Sequence, residues 1–448
     1  MRKLSKIEIN EINKISDVNK KKDLLQSIII SEWNKTKKGL ISAFTGMGKS
    51  ICILKIIQQF NIDFPNEDVI IISPFTKLRD DFQDKISKFG LKNTKSVTLQ
   101  SYSAEIKRGE IKTTSLLIVD ESHTCANIES EFFSKVLPKT NYKYIACFSA
   151  TYEDNHLRYY SELGLELLFD ITVEQGFTLK MVPDSITYCL GVKLTPEEEI
   201  QYLKIQSEYD GYISYFSQFD PNNPIGLIRA LSQSKNKKIH YQGFDCTSKD
   251  HSIRIGNQFD VNPGSLIGTS MKWMGCTSRR ASFLNNSKNL IAAAIYILKK
   301  IDEKVLVFCS GKENIKYMMS QLPKSVGYYS GMTEKQLKES LNKFENEDYL
   351  YMLSVRKLDL GYDKADLRIG LQYNYSSKKV QFIQRSGRFK RFDPKNPSKY
   401  SVFIALYIDD FIDKNGKLIL SPQKKWLKSS LRNRNFIEWL SHPDEIKI

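Results

Sequence analysis

Eight residues, Ala43-Phe44-Thr45-Gly46-Met47-Gly48-Lys49-Ser50, restrict what this chain can fold into more than any other stretch. A short apolar run, Gly39-Leu40-Ile41-Ser42, precedes them, and Ile51-Cys52-Ile53-Leu54-Lys55-Ile56-Ile57 follows. That order is strand, glycine-rich turn, helix. Successive backbone N–H groups and the positive end of the helix then converge on one point, which suits a phosphate chain. Gly46 and Gly48 let the backbone approach without Cβ clashes. Lys49 would reach the terminal phosphates, and the Ser50 hydroxyl would ligate Mg²⁺. Taken alone, the stretch is also compatible with a plain strand-to-helix turn carrying a surface lysine.

The surroundings extend that reading. At 448 residues the chain is too long for one ordinary core, which implies two domains and additional segments. Lys and Arg exceed Asp and Glu by 67 to 51, a net charge of +16, which favours a polyanionic partner such as nucleic acid or an anionic membrane. A lysine-rich genome would give the same excess, and the Lys, Asn and Ile usage hints at a phage or virus. The seven cysteines form no Cys-x-x-Cys pair, and the five histidines are scattered. They read as buried thiols in a reducing compartment, with neither a disulfide framework nor a zinc site. No apolar run reaches the roughly 18–20 residues of a membrane helix, and the amino terminus lacks a signal-peptide core. A soluble, cytoplasmic protein without a membrane partner is expected.

Along the chain, residues 1–21 are charged, and 22–36 form an amphipathic helix. Continuous apolar strands then alternate with helices: Val69–Pro74, Ser96–Leu99, Ser115–Val119 and Tyr144–Phe148. Such strands imply a parallel sheet covered on both faces, with ligands at the strands' carboxyl ends. Residues 22–180 are assigned to this first α/β domain. Residues 181–285 break the pattern, with a polar, tyrosine-rich helix, two prolines and a lysine-rich turn, and read as a connector with an inserted subdomain. Alternation resumes over 286–420, with strands at Val305–Ser310, Ser325–Tyr329, Tyr349–Ser354, Ile369–Tyr373 and Val402–Ile408. Residues 421–448 read as a basic helical tail.

Three further clusters carry chemistry. Asp120-Glu121-Ser122-His123 ends an apolar strand, where Asp120 suits a grip on Mg²⁺ and Glu121 suits orienting and deprotonating a water. Ser149-Ala150-Thr151 ends the next strand and could hydrogen-bond His123 or Asp120. Gln384-Arg385-Ser386-Gly387-Arg388-Phe389-Lys390-Arg391 places three arginines at spacings of three. On one helix face they form either a solvated basic surface or arginine fingers that cross a cleft to a γ-phosphate. Leu358-Asp359-Leu360-Gly361-Tyr362-Asp363 adds a glycine turn with a carboxylate.

Together, Ala-x-Thr-Gly-x-Gly-Lys-Ser, Asp-Glu-Ser-His, Ser-Ala-Thr, Gly-x-Asp and Gln-Arg-x-Gly-Arg-x-x-Arg resemble the superfamily 2 helicases of the DExH type, in particular the XPB-type and phage recombination and repair helicases. Leu194-Thr195-Pro196 and Tyr329-Ser330-Gly331 add to the likeness, which covers roughly residues 22–180 and 285–408. The resemblance implies two tandem RecA-like domains with ATP and Mg²⁺ between them. Thr45, Gly46, Gly48, Lys49 and Ser50 would bind the nucleotide, and Ser50 and Asp120 the metal. Glu121 would be the general base, Gln384 and Arg388, with Arg385 or Arg391, would act on the nucleotide from the second domain, and Asp363 would stabilise the closed cleft. Gln26 is a candidate adenine contact, while His123, Ser149 and Thr151 would couple hydrolysis to motion. Nucleic acid would be held by Pro74, Thr76, Thr98, Gln100, Ser101, Ser310, Ser330, Gly331 and Ser354. The chain departs from the family pattern at Ala43, at Tyr152 where a proline is common, and at Lys364-Ala365.

The expectation is an ATP-dependent DNA helicase or translocase of replication, recombination or repair, acting on single-stranded or branched DNA. An RNA helicase and a motor subunit of a restriction or nuclease complex are the alternatives. Gripping through the backbone implies weak sequence preference and strong salt sensitivity.

Overall fold

A computed structural model of the chain describes residues 2–110, 112–126, 133–233, 238–355, 366–373, 382, 385–390, 392–393, 395–396, 398–431 and 436–448. The apolar runs of the first part become strands β1 (Lys38–Ala43), β2 (Val69–Ser73), β3 (Thr94–Thr98), β4 (Lys112–Val119), β5 (Thr140–Ser149) and β6 (Leu167–Ile171). They form one parallel sheet in the order β3-β2-β4-β5-β1-β6. Alternate residues serve opposite faces. Leu40, Ile70, Ile72, Leu117 and Val119 enter one core, and Ile41, Ile71, Leu116, Ile118 and Phe148 enter the other, against Leu25, Ile29, Trp33, Ile53 and Ile57 of two covering helices. Because every strand runs the same way, the turns after β1, β2, β3, β4 and β5 all open on one edge.

The helix expected at 22–36 spans Val18–Thr36, starting earlier because the Asp17 carboxylate accepts from Asn19 N at 2.7 Å and Lys20 N at 3.0 Å. This capping satisfies donors that a helix end leaves over. Trp33 fixes the helix to the sheet by donating to the Ile145 carbonyl at 3.0 Å.

The next strand, β7 (Ser185–Val192), belongs to a different sheet. It pairs in parallel along its whole length with a strand more than 200 residues later, Ser401–Ile408. The segment drawn from the sequence as 181–285 therefore contains both a strand of the second sheet and a helical body. That body consists of helices Pro196–Ser217, Pro224–Leu231, Ser248–Phe259 and Pro263–Asn285, with a hairpin of β8 (Lys238–Tyr241) and β9 (Phe244–Thr247). Phe216, Leu227, Ile228, Leu231, Ile255, Leu266 and Trp273 give it a core of its own.

After it come β10 (Val305–Phe308), β11 (Ser325–Tyr328), β12 (Tyr351–Ser354), β13 (Ile369–Gln372) and β14 (Ser401–Ile408). A small hairpin, β15 (Phe411–Ile412) with β16 (Leu418–Ile419), precedes the tail. The tail starts as the expected helix, Pro422–Leu431, and then adds an edge strand, β17 (Ile437–Leu440). The second sheet is parallel throughout, in the order β11-β12-β10-β13-β14-β7-β17. The chain thus folds as two parallel-sheet α/β domains of the RecA-like kind, with a helical insert. All seven cysteines are free thiols, six of them buried.

Candidate nucleotide site and nucleic-acid face

The phosphate loop is built from its glycines and two apolar anchors. Gly46 and Gly48 have φ of 97° and 96°, a region that strains any residue with a Cβ. Phe44 and Met47 are buried beside them and pin the loop to the first core. The helix Lys49–Asp63 starts directly after Gly48, so its positive end faces the loop. Lys49 Nζ donates to the Ala43 carbonyl at 3.2 Å, folded over the loop it serves. Gln26 packs underneath: its Nε2 lies 3.4 Å from the Gly48 carbonyl, and a Cβ on Gly48 would come within 2.7 Å of it. The Gln26 Oε1 is buried with no hydrogen-bond partner among the described residues.

Asp120 follows β4, and its carboxylate accepts the Glu121 N–H at 3.0 Å. Burial pushes its pKa up to about 7, the negative charge of Glu121 adds to the rise, and Lys49 opposes it. A divalent cation at this carboxylate would reverse that penalty. Glu121 sits at φ 48°, ψ 48°, a left-handed conformation rare for a residue with a side chain. Its carbonyl accepts from Thr124 N at 3.0 Å and Thr124 Oγ1 at 2.9 Å. Its Oε2 is buried without a hydrogen-bond partner among the described residues, 3.4 Å from His123 Nδ1.

The Ser-Ala-Thr turn after β5 locks onto this loop. Ser149 Oγ donates to the Thr151 carbonyl at 2.8 Å and lies 3.0 Å from His123 Nδ1. With the serine proton already committed, His123 Nδ1 is the donor, which fixes its tautomer. Thr151 Oγ1 is buried and has no hydrogen-bond partner among the described residues. Two tyrosines that the sequence reading gave no role complete the arrangement. Tyr152 Oη lies 2.6 Å from Ser122 Oγ and donates to the Cys147 carbonyl at 3.1 Å, while Tyr160 Oη donates to the Ser122 carbonyl at 2.7 Å. Tyr152 stood out in the sequence only as a departure from proline. Tyr160 had no local signal, because it lies 38 residues from its partner.

The second domain reaches the loop through its arginine segment. A Cβ built on Gly387 would lie 3.2 Å from Thr45 Oγ1 and 3.3 Å from Thr45 Cβ, so its backbone rests on the phosphate loop. Arg388, next in sequence, is 7% exposed. Arg385 turns inward, 2% exposed, with its guanidinium 4.8 Å from the Phe308 ring centroid. Lys390 Nζ lies 5.4 Å from the ring of Phe177 in the first domain, and Phe436 of the tail packs on that ring at 6.3 Å. Gln384, Arg391 and Asp363 lie outside the described residues.

Residues 6–114 match the family model "Type III restriction enzyme, res subunit", and residues 287–393 match "Helicase conserved C-terminal domain". The DNA 3'-5' translocase XPB2 of Sulfurisphaera tokodaii is 24% identical over 383 residues, covering 82% of this chain and 77% of that protein. The chain is a superfamily 2 helicase. In fold it resembles S. cerevisiae Dbp5 bound to RNA and ADP BeF3, with a TM-score of 0.52 at 10% identity over 91% of this chain and 86% of that one. It also resembles part of the Type ISP restriction-modification enzyme LlaBIII bound to DNA, with a TM-score of 0.54 at 15% identity over 94% of this chain and 31% of that one.

The helicase carries its expected nucleic-acid residues along the carboxyl edges of both sheets. Thr76, Gln100, Ser101, Ser330 and Gly331 are exposed there, and Pro74, Thr98 and Ser310 are partly so. Several have local duties. Thr98 caps the helix Leu99–Lys107 and donates to Ser101 Oγ at 2.8 Å. Ser310 donates to Asn286 Oδ1 at 2.8 Å. Ser354, 1% exposed, is closed off from the surface, its hydroxyl without a hydrogen-bond partner among the described residues. Among the described residues no helix of the helicase is long and apolar enough to cross a membrane.

Proposed function

We propose that the protein is a DNA translocase or helicase whose ATP site lies between Lys49, Asp120 and Glu121 of the first domain and Arg388 of the second. The observation that carries this reading is the seating of Gly387 on Thr45, which brings the arginine segment to the phosphate loop. The residues fit the nucleotide and metal that helicase families use. The loop conformation demands glycine, the buried Asp120 carboxylate carries an unfavourable charge, and Glu121 Oε2 and Thr151 Oγ1 are buried polar atoms in need of partners. Ser50 and Asp120 would hold Mg²⁺, which neutralises phosphate charge when bound.

In this scheme Lys49 binds the terminal phosphates, and Glu121 takes a proton from the attacking water as that water adds to the γ-phosphorus. Arg388 stabilises the charge that develops on the transferring phosphoryl group. The bond to the leaving ADP breaks as the new P–O bond forms. Loss of the γ-phosphate removes the ligand shared by Lys49 and Arg388, and the cleft opens. The first domain takes in the whole helix Val18–Thr36 and runs on to about residue 180; the second comprises β7 together with 286–420 and the tail. The name of the Sulfurisphaera relative favours DNA over RNA. The restriction-subunit match over residues 6–114 supports a second reading, a motor that moves DNA for a partner nuclease.

The test is ATP hydrolysis by the purified protein with single-stranded, duplex or forked DNA, or with RNA. DNA should stimulate turnover, and Lys49→Ala and Glu121→Gln should abolish it while the chain stays folded by circular dichroism. Stimulation by RNA alone would replace the DNA reading, and undiminished turnover in both variants would remove the site assignment.

A further inference from the structure

We infer that Tyr152 is a positioning residue that holds the general base in place and ties it to the turn after β5. The inference rests on the proposed role of Glu121. Glu121 keeps a left-handed backbone, which costs roughly 1–3 kcal/mol and persists only where neighbouring contacts over-determine it. Those contacts converge on the next residue, Ser122, which is fully buried. Its carbonyl accepts from Tyr160 Oη at 2.7 Å and from Cys125 N at 2.9 Å. Its hydroxyl meets Tyr152 Oη at 2.6 Å. Because the Tyr152 proton goes to the Cys147 carbonyl, Ser122 is the donor in this short contact. The two tyrosine rings brace each other edge to face, 5.9 Å apart.

Tyr152 follows Thr151 directly, so the Ser149–Thr151 turn grips the Asp-Glu-Ser-His loop at two points. One is Ser149 Oγ on His123 Nδ1 at 3.0 Å, and the other is Tyr152 Oη on Ser122 Oγ. Both contacts fall on the two residues that directly follow Glu121 in the chain. A shift of the turn therefore pulls on both, and the peptide that orients Glu121 cannot relax independently of it. A proline at 152 would supply only one such tether, through His123.

The experiment compares steady-state ATP turnover of Tyr152→Phe, Ser122→Ala and the double variant, with Glu121→Gln as a control. Tyr152→Phe keeps the ring and removes one hydroxyl. It should lower kcat about five- to tenfold with KM for ATP unchanged, the split expected when a contact matters in the transition state alone. The double variant should be no worse than the more impaired single variant, because both singles delete the same contact. Wild-type kcat in Tyr152→Phe, or independent multiplication of the two losses, would overturn the inference. A drop in thermal stability with kcat unchanged would show that Tyr152 only packs, and would overturn it as well. Turnover retained by Glu121→Gln would instead refute the base assignment on which the inference stands.

Discussion

Alanine at Gly387 is expected to slow the motor without weakening its fold. The added methyl group would lie 3.2 Å from Thr45 Oγ1 and 3.3 Å from Thr45 Cβ. Both distances are tighter than ordinary van der Waals contact, and Thr45 is β-branched with little freedom at χ1. Overpacking of this kind costs roughly 1–3 kcal/mol, and one methyl group against one side chain belongs at the lower end. The cost falls on the closed arrangement alone, because separating the domains removes the contact. A penalty of about 1–2 kcal/mol on closure corresponds to a five- to thirtyfold loss in kcat/KM.

Local backbone preference works the other way. Gly387 lies in helical backbone, where alanine is favoured over glycine by up to about 1 kcal/mol. A loss of activity therefore cannot come from helix propensity. The assay is nucleic-acid-stimulated ATP hydrolysis by Gly387→Ala and Gly387→Val, beside thermal unfolding without nucleotide. Activity should fall in the order glycine, alanine, valine. Melting should shift by less than the roughly 2–4 °C that 1 kcal/mol produces in domains of this size. Equal activity in all three, or a melting temperature that falls in step with activity, would refute the reasoning.

Two other outcomes follow from the same geometry. Gln26→Ala should raise KM about tenfold for ATP and GTP alike, because Gln26 lies beneath the phosphate loop against Gly48 with its Oε1 buried; a loss confined to ATP would instead support the adenine contact expected from the sequence. Asp120, raised from 3.8 to about 7 mainly by burial and then by Glu121, binds its proton more tightly folded than unfolded, so its contribution to stability falls as pH rises between those values. Asp120→Asn should therefore be inactive yet more stable than the parent in nucleotide-free urea unfolding near pH 8, by up to roughly 4 kcal/mol, with the difference gone below about pH 4.

What could be read from the sequence was whatever nearby residues determine. Val69–Ser73 and Leu116–Val119 are continuous apolar runs, and such runs form strands of a covered parallel sheet. The phosphate loop was legible because two glycines must lie between one of those strands and a helix. Pairing over long distances was not legible. Nothing in Ser185–Val192 indicates that its partner is Ser401–Ile408, so the strand was grouped with the insert that follows it. The tail's last strand was hidden for the same reason, since β17 finds its place only on the edge that β7 presents. At the site, the residues that bear charge were identifiable by type, and those that hold them in place were not. Arg385 shows the limit of type alone: its spacing suits a finger, yet its guanidinium stacks on Phe308 inside its own domain.

The placement of β7 also decides how the insert must move. The chain passes from β7 into the helix Pro196–Ser217 and returns to the second sheet after Asn285. Both junctions are fastened to that domain. Glu198, buried in the first turn of the entering helix, accepts from Lys288 N at 2.7 Å and Ser287 Oγ at 3.0 Å, at the start of the helix Lys288–Lys299. Asn285 Oδ1, at the end of the leaving helix, accepts from Gln423 Nε2 at 2.9 Å, in the tail helix. A buried carboxylate that loses its donors costs several kcal/mol, so opening these junctions is far more expensive than parting Gly387 from Thr45. The chain therefore divides mechanically into two bodies: the first sheet, and the second sheet with insert and tail attached. In the proposed cycle the insert would therefore travel with Ser310 and Ser330, and a strand held on that side would be carried past Thr76 and Gln100.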